Sequence, residues 1–246
     1  MKFFIRRKSK IISKAAFGSA LFMVSAFAMF TQKVSADTKT VDHISQEKTD
    51  TITARSIFEK IHLSALEILP RSTRLDMLDY WDVDSVHKVT NVMEGLSWLE
   101  QVTPSYLKVH ISAVSTLEIK LLSAKKNPIV MTIYTVGDDV QAQDSQVKFF
   151  SIDLQELDSS KYLQMPQLKD FFDIPKGSTT KMKEIEDMIP FPTLAFSANP
   201  ENDNLKARLT VEQYINQDDW NIARLFVKPY ITLIWEKEKY KVEKSK

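Results

Sequence analysis

The sequence has no cysteine, four histidines and four glycines in 246 residues, and each scarcity removes a class of chemistry. Without cysteine there is no disulfide, no thiol nucleophile and no thiolate metal ligand, and a lipid-anchored N-terminus is excluded. After Gly18 only Gly95, Gly137 and Gly177 remain, too scattered for a phosphate-cradling loop or a dinucleotide fingerprint. The histidines, His43, His62, His87 and His110, form no His-Glu-x-x-His run, so zincin-type hydrolysis has no support. Long apolar runs are also missing. The longest, Ala15 to Phe30, is about 16 residues, short of the roughly 20 that span a bilayer.

That run belongs to an export signal. Lys2, Arg6, Arg7, Lys8, Lys10 and Lys14 precede it without an acid, and "VSA" with Ala36 follows it, the pattern of a secretory signal peptide over residues 1–36. The segment holds seven of the 33 basic residues. Its removal leaves 26 against 32 acids, a net charge of −6. A mildly acidic chain lacks the basic footprint of a nucleic-acid binder. Residues 37–52 are polar and patternless and read as a flexible leader. The 210 residues after Ala36 are long enough to bury roughly 70% of their unfolded surface without disulfides.

From residue 53 the period of hydrophobicity assigns elements. Ile57, Phe58, Ile61, Ala65, Ile68 and Leu69 form one helical stripe ended by Pro70, with His62 at its edge. Ser72 or Thr73 is placed to cap a second helix, in which Leu75, Leu78 and Trp81 face one way and Asp76, Asp79 and Asp82 another. After His87 the period becomes two. Strands near "HKVTNV" and "SWLEQV" flank Gly95. "SYLKVHIS" and "STLEIKLL" read as a hairpin with Leu107, Val109, Ile111, Leu117, Ile119 and Leu121 on one buried face. "PIVMTIYTV" is apolar on both faces and reads as a central strand, followed by "QVKFFSIDLQ". Short helices are expected at "LKDFFDIP", "KMKEIEDMIP" and "QDDWNIARLF". Strands are expected at "PTLAFSA" and "LKARLTV", and a last hairpin at "YITLIW" and "KYKV". The fold class is α+β: N-terminal helices packed on a mostly antiparallel meander sheet, extended by a second helix-plus-strand segment. Residues 53–243 form one domain, with 53–157 and 165–243 as possible subdomains. No residue-level repeat links these halves.

The densest charged stretch, "RLDMLDYWDVDSVHKV", is the first place to look for a site. An EF-hand loop from Asp82 would need oxygen ligands at its third and fifth positions, glycine at the sixth and glutamate at the twelfth. The sequence supplies Asp84, then Val86, His87 and Met93. The remaining metal candidates are Asp76, Asp79 and His87, set against the plainer reading of a solvated aspartate stripe. His110, expected opposite Glu118 with Lys108 and Lys120 beside them, is an acid–base candidate if buried and ordinary cross-strand pairing if exposed. Ser-x-x-Lys at Ser105–Lys108, Ser123–Lys126 and Ser178–Lys181 lacks the helix that this motif needs. Trp81, Trp98, Trp220 and Trp235 fall one per element and read as core residues.

The block from "RLDMLDYW" through "KVTNVMEGLSWLEQVTPSYLKVHISAVSTLEIKLL" to "DLQELDSSKYL", with the "ITLIWEKEKYKV" ending, resembles an uncharacterised exported family, domain of unknown function three-two-five-six of Bacteroides-type bacteria. The resemblance implies a cell-envelope address, periplasmic or outer-membrane-associated, and carries over no functional residue. The expectation is a non-catalytic binding module that meets an envelope protein or a glycan through a sheet face or edge, with no catalytic residue and no cofactor. The alternatives are an envelope hydrolase using carboxylates such as Asp76, Asp79 and Glu118, or a calcium-dependent module.

Overall fold

Thr53 and Ser56 start the first helix, α1 (Ala54–Lys60), by bonding each other's backbone. The Thr53 hydroxyl accepts from the Ser56 N–H at 3.1 Å, and the Ser56 hydroxyl accepts from the Thr53 N–H at 3.0 Å. The computed structural model describes residues 51–83, 87–138, 142–175 and 179–243, all within the unit Thr49–Lys246. The expected signal peptide, and the leader except Thr51 and Ile52, lie outside the described residues.

The single helix expected through Leu69 is divided. α1 stops at Ile61, which is extended, and a 3-10 turn at Ser64–Leu66 follows. The cause is Arg74, a buried arginine of α2 (Arg71–Val83) that donates to the carbonyls of Phe58 and Ile61. It satisfies the free acceptors at the end of α1 and places a cation at the negative end of that short helix. His62, expected at the core edge, is exposed beyond this break. α2 begins directly after Pro70, whose carbonyl accepts from the Arg74 N–H at 3.0 Å, so Ser72 and Thr73 lie inside the helix and do not cap it.

Seven strands follow as an antiparallel meander in chain order: β1 (Lys88–Thr90), β2 (Leu96–Val102), β3 (Tyr106–Ser112), β4 (Ser115–Leu122), β5 (Ile129–Val136), β6 (Asp144–Phe150) and β7 (Glu156–Leu157). A second sheet has the order β11 (Lys239–Val242), β10 (Ile231–Glu236), β9 (Leu205–Leu209), β8 (Leu194–Ala198). Two more helices, α3 (Thr179–Met188) and α4 (Gln217–Ala223), lie on either side of the β8–β9 hairpin in sequence. "LKDFFDIP" gives only a 3-10 turn, Leu168–Phe171.

The larger sheet is covered on both faces. On one, Leu107, Val109, Ile111, Leu117 and Ile119 pack with Ile57, Phe58, Leu69, Met77 and Leu78 of the helical segment. On the other, Tyr106, Met131, Ile133 and Phe149 pack with Phe196, Ala198, Leu205 and Ala207 of the smaller sheet. The expectation of one buried face for the β3–β4 hairpin is therefore corrected. Glu118 and Lys120, on the face expected to be wet, are 4% and 3% exposed because the smaller sheet lies over them. β5, read as a covered central strand, is one: Ile129 through Ile133 are all buried.

β10 lies inside the smaller sheet between β9 and β11, joined to β11 by a tight turn with Lys237 and Glu238 at φ 51° and 60°. Ile231 and Leu233 are buried, while Ile234 and Trp235 are half-buried and Tyr230, just before the strand, is 49% exposed. The face of Ile231, Leu233 and Trp235 is covered except towards Trp235, and the other face is only partly covered.

Candidate functional site

The aspartate stripe of α2 is the densest charged stretch of the sequence. Asp76, Asp79 and Asp82 are all exposed. Asp82 holds Arg55 through both oxygens, at 2.7 and 2.8 Å, and that pairing keeps its carboxyl below the ordinary aspartate value. His87 lies against the ring of Tyr80, centroids 4.0 Å apart. Asp84 is outside the described residues. Among the described residues, no three histidine, aspartate or glutamate side chains are gathered around a common point that could hold a metal.

The His110–Glu118 pair is not formed. A two-residue turn and a register shift between His110 and Ser112 slide the hairpin, so that His110 faces Thr116, Lys108 faces Glu118 and Tyr106 faces Lys120. His110 instead meets Glu100 of β2 at 2.5 Å, and Glu100 also accepts from Lys108 at 2.9 Å. Burial tends to raise the Glu100 carboxyl, and the hydrogen bonds from Lys108 and His110 outweigh it, leaving it lowered. Trp98, expected in the core, is half-buried on this polar face. Its ring stacks on His110 at 4.1 Å, with the Lys88 ammonium 4.4 Å from its centroid. Both ring faces are engaged, so it offers no platform for a sugar.

Glu118 has a different task. β8 is an edge strand of the smaller sheet, and its outward N–H groups need acceptors. Ala198 donates to Glu118 at 2.9 Å, Phe196 to the Ser145 hydroxyl at 3.0 Å and Leu194 to Asp144 at 3.4 Å. Side chains of the larger sheet therefore close the edge of the smaller one. The Tyr106 hydroxyl also bonds Glu118, and burial pushes the carboxyl up to about 7, against the opposing pull of the Ala198 N–H, Lys108 and Tyr106. Lys120 completes the seam by donating to the Pro200 carbonyl at 3.1 Å, with burial lowering its ammonium pKa. Ser105 and Ser123, the described serines of the Ser-x-x-Lys matches, flank strands and not helices, while Ser178 lies outside the described residues.

Where the β8 edge meets the larger sheet, a cleft of about 390 Å³ opens. Lys108, His110, Thr116, Glu118 and Thr135 line it from the larger sheet. Ser197, Lys206 and Arg208 line it from β8 and β9, and Tyr230 borders it. Lys206 and Arg208, two apart on β9, lie on one face, opposite Ser197 and Ala195 of β8. Those small partners leave room beside the two cations. Arg208 donates to the neutral Gln143 amide at 2.7 Å, and the Lys206 ammonium lies 4.7 Å from the Tyr230 ring centroid.

Lys108, His110 and Glu118 are legible as candidates in the sequence, whereas Lys206, Arg208 and Tyr230 are not. Alternation in "LKARL" places the two bases on one face. Nothing local says that this face borders a cleft.

A family model described as Protein of unknown function (DUF3256) matches residues 45–240. No curated protein matches the sequence. Among solved structures, the chain is similar to a domain of an uncharacterized protein from Porphyromonas gingivalis W83, at 18% identity and a TM-score of 0.64, over 77% of this chain and 96% of that one. At that identity the likeness extends to the fold alone.

Proposed function

The chain belongs to the family of proteins of unknown function DUF3256, and from that premise we propose that it is an exported, non-catalytic binding protein of the cell envelope whose ligand enters the cleft between the two sheets. The export part rests on the basic segment, apolar run and Ala36 site at the N-terminus. The binding part rests on one observation: the titratable groups of the cleft floor are engaged by the protein itself, while the cleft beside them stays open. Glu118 accepts from Ala198 and Tyr106, and Glu100 holds Lys108 and His110. A general base needs a free lone pair within reach of a substrate proton. A carboxylate committed to the edge of a neighbouring sheet has a structural role.

The hydrolase reading has one observation in its favour, a buried carboxyl raised to about 7 in a cleft beside a histidine. Turnover separates the two. The full chain is assayed on nitrophenyl esters, phosphates and glycosides and on a casein substrate. The binding reading expects no rate above buffer with any of them. Turnover that is lost in a folded Glu118→Gln or His110→Ala variant overturns it.

A further inference from the structure

We propose that the cleft is a seat for a small organic oxyanion, held by Lys206 and Arg208 of β9. This deepens the binding reading above and depends on it. The first support is charge. Lys108 and His110 both bond the Glu100 carboxylate, at 2.9 and 2.5 Å. Lys206 and Arg208 have no carboxylate within 4 Å among the described residues. The lining therefore carries two uncompensated cations on a chain whose net charge after signal removal is −6.

The second support is shape. Alternate residues of a strand lie about 7 Å apart on one face, a span that lets an ammonium and a guanidinium hold one anionic group from two sides. Ala195 and Ser197 stand across from Arg208 and Lys206, where strands more often carry bulky branched residues, and the space they leave is the cleft. Arg208 uses one nitrogen on Gln143, which fixes the fork and leaves its other donors for a planar or tetrahedral oxyanion. Pro229 and the ring of Tyr230 supply an apolar border for the organic part of the ligand. A carboxylate and a phosphate ester share the chemistry that this pair recognises.

Calorimetric titration of the full chain with glucuronate, glucose 6-phosphate and glucose tests the inference and separates the sources, since the three share a sugar body and differ in charge. The expectation is saturable binding of at least one anion, with glucose about tenfold weaker or worse. Lys206→Met combined with Arg208→Met loses that binding by about tenfold or more and keeps the parent's urea midpoint. Failure of both anions to bind, or equal binding by the double variant, overturns the oxyanion seat. Glucose binding as tightly as the anions also overturns it, while leaving the cleft a binding site. Turnover of a probe overturns the binding reading itself.

Discussion

Glu118 carries the clearest consequence at the level of a single residue. Its carboxyl, raised to about 7 by burial, binds its proton more tightly in the folded chain than in the unfolded one. A group raised in this way contributes stability that is complete below the unfolded glutamate value and is lost as pH rises towards 7. The loss is about 3 kcal/mol at most, from roughly 2.5 pKa units at 1.36 kcal/mol each. Asp82 and Glu100, both lowered, work in the opposite direction, gaining stability above their unfolded values. The Glu118 contribution is therefore read as a difference. Glu118→Gln keeps an acceptor for the Ala198 N–H and cannot ionise. Urea unfolding at pH 5 and pH 8 should show the variant gaining on the parent by about 2–3 kcal/mol between the two. An unchanged difference would remove Glu118 as a buried, titrating member of the seam.

Single elements explain why some of the sequence was legible and some was not. The meander could be read because period-two alternation is a property of each strand alone, and "PIVMTIYTV" announced its own burial. The register of β3 on β4 could not, because a bulge between His110 and Ser112 depends on turn geometry that alternation does not encode. The break at Ile61 was hidden for a similar reason: the residue that ends α1, Arg74, sits in the next helix. The exposed aspartates of α2 lead to a prediction. Millimolar calcium or zinc should leave the melting temperature unchanged, whereas a ligand at a hundred times its Kd would add roughly 2.7 kcal/mol. A rise of several degrees that vanishes in Asp76→Asn with Asp79→Asn contradicts the solvated stripe.

The final hairpin gives a second test at this scale. β10 is interior to its sheet, and Trp235 packs 4.8 Å from Tyr240 and donates to the Ser123 carbonyl at 2.7 Å. Trp235→Ala should cost about 3 kcal/mol, at the low end for a tryptophan because the ring is only half-buried. A chain ending at Lys228 loses β10 and β11 and should be insoluble. Unfolding of that truncated chain at the parent's urea midpoint would make the hairpin an appendage.

For the whole molecule, two sheets share one seam, and the candidate site is where the seam opens. That location was the least legible feature, because it joins residues about 100 positions apart, such as His110 and Arg208, which only packing brings to one cleft. The proposed export is tested separately from the cleft. N-terminal sequencing of the protein from its native host should begin at Asp37, and a retained Met1 would end the envelope reading. Amide shifts of the full chain, mapped on titration with glucuronate and glucose 6-phosphate, show whether the cleft is a ligand seat. A seat there gives saturable shifts concentrated at Thr116, Ser197, Lys206, Arg208 and Tyr230. Shifts confined to other surfaces, such as the α2 aspartates, or no saturable shift with either anion, would contradict it.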